Sequence, residues 1–123
     1  MQIIFVGIGG FFGAVSRYMI DRFIIAAHGG SFPLGILIIN ISGSFALGFF
    51  YAATIDRFNV NSDLKLMITI GFLGAYTTFA TLSHDTVRLI ESGAISHAML
   101  NISASLIGGL LAIYLGMMLA KAI

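Results

Sequence analysis

Four long apolar stretches, separated by three short polar segments, dominate the pattern of residues along this chain. They run roughly from Ile3 to Ala27, from Pro33 to Ile55, from Leu64 to Ile90 and from His97 to Ala122. Each reaches the length of about 20 residues that a helix needs to cross the hydrocarbon core of a bilayer. The pattern therefore predicts an all-α integral membrane protein with four transmembrane helices, in one domain that covers residues 1–123.

The polar segments carry residues that begin and end helices. Pro33 suits the first turn of the second helix. Ser62 or Asp63 is the predicted N-cap of the third helix, Gly93 is its predicted C-cap, and Ser96 is the predicted N-cap of the fourth. The first residues include no basic segment and no small-residue cleavage site, which predicts a retained first span rather than a signal peptide.

The composition supports a membrane protein and excludes several function classes. The chain is 59% hydrophobic and 9% charged, whereas a soluble domain has about 25% charged residues. Its net charge of +1 provides no basic surface for nucleic acid. The absence of cysteine excludes disulfides and thiolate metal sites. No nucleophile–base pair or ligand cluster is found, so an enzyme is not expected.

The positive charges favour neither side of the membrane. Four spans place Arg57, Lys65 and Lys121 on one side and Arg22 and Arg88 on the other, where Arg17 joins them if its side chain reaches the surface. Orientation normally follows the excess of Lys and Arg in loops. We therefore expect insertion in both orientations and an antiparallel, dual-topology dimer. The alternative is that one charge decides the topology and every copy inserts the same way.

Two polar residues inside the predicted spans need partners, because polar groups in hydrocarbon are costly. Asn40 either forms an interhelical hydrogen bond or donates to an anion along a conduction path. Arg17 lies deep in the first span, where we expect a structural role, and Asp21 one turn away is a candidate partner. Ser105 shares a face of the fourth span with Asn101 and Gly109, as helix glue or as part of a conduit.

The third span contains the sequence Gly71-Phe72-Leu73-Gly74-Ala75-Tyr76-Thr77-Thr78-Phe79-Ala80-Thr81-Leu82. Glycines followed by β-branched threonines form a poor helix, which favours a break. The alternative is a continuous helix in which the threonine hydroxyls bond back to the carbonyls of their own helix. Carbonyls freed by such a break could coordinate a small cation. Phe79 either packs normally or turns its electropositive ring edge toward an anion.

Several segments resemble the Fluc-type (CrcB-type) fluoride channels. In the first span, residues 9–18 resemble that family's paired glycines, third glycine and arginine. Pro33-Leu34-Gly35, Asn40, Gly43-Ser44-Phe45 and Gly48 resemble its second-span pattern. Residues 71–81 resemble its box of glycines, two threonines and phenylalanine. The resemblance covers nearly the whole chain.

The resemblance implies an antiparallel dimer with two narrow pores, each built from both subunits, that pass fluoride passively. By matching position, the fluoride pore would include Asn40, Phe79, Thr81 and Ser105. The backbone carbonyls of Gly74 and Thr77 would bind a structural sodium ion at the dimer two-fold axis. The implied function is fluoride export from the cytoplasm through the prokaryotic inner (plasma) membrane, to relieve fluoride toxicity.

Four positions depart from the family pattern, and two other functions stay open. Leu82 replaces a second box phenylalanine, Ala80 a box serine, Ile36 a common threonine, and Gly109 a serine of the fourth span. These changes keep open a non-conducting partner subunit of a heteromeric channel, paired with a diverged paralogue, although we expect a homodimer.

The other alternative is a small dual-topology multidrug exporter. Such an exporter needs a carboxylate embedded in the membrane. Here every acid is expected at or near a span end or in a loop: Asp21, Asp56, Asp63, Asp85 and Glu91.

Overall fold

The computed structural model describes all 123 residues, and its regular elements are all helices. The first, second and fourth spans are the continuous helices α1 (Gln2–His28), α2 (Leu34–Asp56) and α6 (Ile95–Ala122). The third span is divided into α3 (Ser62–Leu66), a π-helical segment (Met67–Leu73), α4 (Gly74–Tyr76) and α5 (Phe79–Glu91). All four spans are long and apolar enough to cross a membrane, which confirms the predicted fold class.

The helix ends agree only in part with the caps predicted from sequence. Gly29 directly follows α1, and Gly93 lies two residues after the end of α5. Both have the left-handed backbone conformation that glycine adopts freely, with φ of 67° and 83°. Asn61, rather than Ser62 or Asp63, caps α3 by accepting a hydrogen bond from the Asp63 backbone N–H at 2.8 Å. The prediction for Ser96 was wrong, because α6 begins at Ile95 and its N-cap position is Ala94, two residues before Ser96, without a side-chain cap.

Close packing of α2 against α6 forms one half of the bundle. Gly48 of α2 and Gly116 of α6 are both buried, and a Cβ atom at either would overlap the backbone carbonyl of the opposite helix, at Ile113 or Phe45. Small residues at such contacts let membrane helices approach where lipid supplies no hydrophobic drive for association. On the other side of the bundle, α1 packs against the π-helical segment.

Few side chains are buried within a single chain. One of two small apolar cores combines Ile36 and Ile39 of α2 with Tyr76 of α4, and Phe72 packs against it. Many large apolar side chains point outward along α1 and α6, including Phe11, Phe23, Leu110 and Tyr114. This is the expected arrangement for a protein whose outer surface faces lipid or a second subunit.

The third span is interrupted near its middle, as the sequence predicted. Thr77 (ψ 154°) and Thr78 (φ −151°, ψ 121°) are extended and separate α4 from α5; we call these two residues the break. The π-helical segment just before the break was not predicted. There the Gly74 N–H bonds to the carbonyl of Thr69, five residues earlier, as well as to that of Gly71. Such π turns within helices are frequent at functional sites.

Candidate functional site

Asn40 of α2 holds the backbone of the break with both ends of its side-chain amide. Its Nδ2 donates to the carbonyl of Thr78 at 3.0 Å, and its Oδ1 accepts from the N–H of Thr78 at 2.8 Å. Both backbone groups of an extended residue at membrane depth are thereby satisfied, which such a conformation requires. The interhelical hydrogen bond considered for Asn40 therefore forms. The second N–H of the amide makes no bond within the chain and can donate to an anion.

Gly43 lies about one turn after Asn40 and lets α2 approach the break. A Cβ atom there would overlap the Thr77 Cγ2 atom and lie 3.0 Å from Cδ1 of Tyr76. The ring of Tyr76 is in turn held by a hydrogen bond of 3.0 Å between its hydroxyl and Ser42 Oγ. One face of α2 thus provides hydrogen bonds and space for the non-helical segment.

The break leaves the carbonyls of Gly74 and Thr77 without their helical donors. In a continuous helix the N–H of Thr78 would bond to the carbonyl of Gly74, but here it bonds to Asn40. Likewise the N–H of Thr81 bonds to Thr78 Oγ1 at 3.2 Å instead of the Thr77 carbonyl. Two carbonyl oxygens three residues apart are thus available as cation ligands, which fits the donor set expected for sodium.

A cleft of about 390 Å³, the first cleft, opens beside the break. It brings together Asn40 of α2, Phe79 of α5 and Ser105 of α6, three of the four predicted pore residues. Its lining consists of Asn40, Ser44, Thr77, Thr78, Phe79, Leu82, Ile102, Ser105 and Leu106. Ser105 is buried, and its hydroxyl oxygen has no hydrogen-bond partner in the chain. Ser44 is a lining residue that the sequence analysis did not single out as a candidate.

Phe79 is the most exposed of the predicted pore residues. Its side chain is 81% accessible in the single chain, although it lies at the start of α5 beside the buried Ser105. The first cleft is therefore open on the side of Phe79. One chain alone therefore does not enclose the first cleft.

Thr81, the fourth predicted pore residue, does not line the first cleft. It lines a second cleft of about 540 Å³ at the end of the bundle that carries the α1–α2 and α5–α6 connections, together with Asp21, Asp85 and Arg88. Thr78, which lines the first cleft, donates its hydroxyl proton to Thr81 Oγ1 at 3.1 Å. A hydrogen bond between these two residues therefore joins the linings of the two clefts.

Arg17 has no hydrogen bond or ion pair within the chain. It is half-buried in α1, and the expected ion pair with Asp21 does not form. Asp21 packs instead against Gly35 at the start of α2. The only contact shorter than 4.0 Å between a basic and an acidic side chain joins His84 Nδ1 to Asp85 Oδ1, at 3.5 Å. The structural role expected for Arg17 requires bonding partners from another subunit, and it stays a prediction.

A buried polar link between α5 and α6 extends the site beyond the predicted residues. Asn101 is 1% exposed, and its Nδ2 donates to Thr86 Oγ1 at 3.0 Å. Thr86 in turn donates to the carbonyl of Leu82 at 2.7 Å. The sequence analysis did not predict a role for Thr86. The only feature that could have indicated one was its hydroxyl among the apolar residues of α5. The link fixes α6, which carries Ser105, against α5, which carries Phe79.

Comparisons with known proteins agree with this arrangement. A family model described as CrcB-like protein, camphor resistance (CrcB), matches residues 4–117. The chain belongs to the CrcB-like family. Among its relatives, the fluoride-specific ion channel FluC of Hydrogenovibrio crunogenus is 40% identical over 121 residues, which cover 98% of this chain and 92% of the relative.

Two further relatives of the family extend the match along the chain. The protein of the same name from Shewanella woodyi is 44% identical over 118 residues, covering 96% of this chain and 94% of the relative. That from Magnetococcus marinus is 41% identical over 123 residues and covers both chains completely. The family resemblance read from the sequence is therefore confirmed over the break, the first cleft and all four spans.

Proposed function

We propose that this chain forms a passive, fluoride-selective channel that exports fluoride from the cytoplasm across the prokaryotic inner (plasma) membrane. The observation that carries the proposal is the first cleft, where Asn40, Phe79 and Ser105 from three helices meet beside a break near the middle of the third span. The names of the relatives, fluoride-specific ion channel FluC, support fluoride as the ion. Membership in this family also favours a channel over the multidrug exporter considered from sequence.

The residues at the break match what a dry path for fluoride requires. Fluoride is small and strongly hydrated, so a path without water must replace its hydration shell with other donors. The second N–H of Asn40 and the hydroxyls of Ser105 and Thr81 supply hydrogen bonds, and the ring edge of Phe79 supplies weakly positive hydrogens. Conduction requires no chemical step, only binding that is weak enough to let the ion leave.

An antiparallel second copy would complete the path. The 81% exposure of Phe79 leaves the first cleft open on the side where another subunit can enclose it. The balanced positive charges allow insertion in both orientations, and two opposite copies can pair about a two-fold axis in the membrane plane. A homodimer is the simplest assembly, because Asn40 and Phe79 are both present.

A sodium ion at the two-fold axis would suit the freed carbonyls of Gly74 and Thr77. Two copies would offer four carbonyl oxygens, the hard ligands that such a cation prefers. When bound, the ion would raise the local positive potential and hold the subunits together. We expect replacement of sodium by a large organic cation to weaken the dimer, as measured by its dissociation in detergent. Unchanged dimer stability would contradict this part of the proposal.

The departures from the family pattern bear on a second candidate, a non-conducting partner subunit. Leu82 lines the first cleft where the family pattern has an aromatic residue, so one wall of the path lacks a ring edge. Gly109 has room for a larger residue, since a Cβ atom there would lie 3.6 Å from Ser44 Oγ, an ordinary contact. The path therefore offers fewer polar and aromatic groups in this chain than the family pattern provides.

A flux measurement separates these candidates. Purified protein is reconstituted in liposomes, and the efflux of fluoride is followed with an electrode, with chloride efflux and protein-free vesicles as controls. We expect rapid fluoride efflux without chloride efflux. Fluoride efflux no faster than from protein-free vesicles would refute a homodimeric channel. Efflux that appears only after a paralogous chain is added would identify the partner subunit instead.

A further inference from the structure

Thr78 connects Asn40 to Thr81. Its N–H and carbonyl are both bonded to the amide of Asn40, at 2.8 and 3.0 Å, so its backbone is fixed against α2. Its hydroxyl oxygen accepts from the N–H of Thr81 at 3.2 Å and caps α5. The proton of the same hydroxyl is donated to Thr81 Oγ1 at 3.1 Å. Every polar group of Thr78 is thus engaged, and two of its bonds are to Thr81.

Thr81 differs from four other hydroxyl residues of the third span in the partner of its hydroxyl proton. Those at positions 69, 77, 83 and 86 all donate to the carbonyl four residues earlier: Lys65, Leu73, Phe79 and Leu82, respectively. Thr81 makes no such bond and only accepts one, from Thr78. The hydroxyl proton of Thr81 therefore has no acceptor within the chain. Thr81 lines the second cleft, so its hydroxyl can donate to another group.

From this geometry we infer that Thr78 is a positioning residue for conduction, which orients the Thr81 hydroxyl so that it donates to the passing anion. This inference rests on the proposed fluoride channel. The Thr78 hydroxyl donates to Thr81 Oγ1 and so occupies one acceptor position of that oxygen. The Thr81 proton is therefore directed away from Thr78. A hydroxyl that accepts a hydrogen bond is also a stronger donor. Without Thr78, Thr81 would be free to bond back to the carbonyl of Thr77, as hydroxyls in helices commonly do.

A double-mutant cycle tests whether Thr78 acts through Thr81. Fluoride efflux is measured for the wild type, Thr78→Val, Thr81→Val and the double variant in liposomes. We expect Thr78→Val to lower the efflux rate about tenfold, the size of one hydrogen bond to a charged group. The double variant should be no slower than Thr81→Val alone, because residues that act as one unit are not additive. Thr78→Ser, which keeps the hydroxyl, should restore efflux.

Control variants separate this role from a general effect on folding. Thr69→Val removes a hydroxyl from the same span that is bonded to its own helix and lines neither cleft, so its efflux should match the wild type. If Thr78→Val does not fold, Thr78→Gly removes the same hydroxyl, and glycine is well tolerated at an N-cap. The same non-additivity with Thr81→Val is then expected.

Two results would overturn the inference while leaving the channel intact. One is wild-type efflux in Thr78→Val or Thr78→Gly. The other is a double variant whose loss equals the product of the two single losses, which would mean that Thr78 acts independently of Thr81. A wild-type protein without any fluoride efflux would instead overturn both the inference and the proposed function on which it rests.

Discussion

The side chain of Asn40 and the peptide groups of Thr78 are joined by two hydrogen bonds, of 3.0 and 2.8 Å, although the residues are 38 positions apart in the chain. This contact makes a non-helical segment possible inside the membrane, because it replaces the helical hydrogen bonds that the segment gives up. It also places Asn40 in the first cleft beside Phe79 and Ser105. Asn40 thus both supports the break and lines the first cleft.

Asn40→Asp should abolish fluoride efflux while the proposed dimer persists. A carboxylate cannot donate to the carbonyl of Thr78, and its negative charge would repel an anion in the first cleft. The fluoride-electrode assay measures the loss, and size-exclusion chromatography in detergent measures the dimer. Asn59→Asp, in the exposed α2–α3 connection, is the matched control and should conduct normally. Normal efflux in Asn40→Asp would mean that the residue serves only to pack the helices.

Phe79→Ala should lower fluoride efflux with little effect on the stability of the single chain. The ring is 81% exposed, so its removal costs few contacts within one chain but removes an electropositive edge from the proposed path. Phe58→Ala serves as the control, because that ring is also exposed but lies in the α2–α3 connection. Equal efflux in the two variants would assign Phe79 to packing or to lipid contact.

Gly43→Ala should destabilise the protein by about 1–3 kcal/mol, the usual cost of overpacking. The added Cβ would overlap Thr77 and crowd the ring of Tyr76, and so push α2 away from the break. Thermal unfolding in detergent measures the change as a lower Tm. Gly7→Ala is the control, since a Cβ at Gly7 meets nothing within 4 Å and alanine favours the helix. A Tm for Gly43→Ala at or above that of Gly7→Ala would contradict the tight contact.

Adding two lysines to the α2–α3 connection should bias insertion toward one orientation and lower fluoride efflux. Loops rich in Lys and Arg stay on the cytoplasmic side, and an antiparallel dimer needs both orientations. Reporters of location fused to both termini measure the bias. Coexpression with a variant that carries two lysines in the α5–α6 connection should restore efflux. Unchanged reporter signals in both variants would count against dual topology.

The sequence predicted the spans and the region of the break more accurately than the chemistry of the site. For Asn40 the sequence left open an interhelical hydrogen bond or donation to an anion. The structure shows the interhelical bond and one N–H of the amide that is not used in it. Ser105 and Phe79 were placed in the pore by family resemblance, and the structure brings both to the first cleft. Thr81 was expected beside them but lines the second cleft. The link between Thr86 and Asn101 was missed, because threonine on an apolar helix face has no distinctive pattern.

The sequence by itself determined that this protein has four apolar spans and a weak helix near Gly74 and Thr77, because span length and helix propensity are local properties of the chain. Only the tertiary structure decided that the break falls at Thr77–Thr78, that the π turn precedes it, and that the Thr81 proton stays free. Those outcomes depend on which donors and acceptors meet across helices. The partner that fixes the break, Asn40, comes from another helix, 38 positions earlier in the chain.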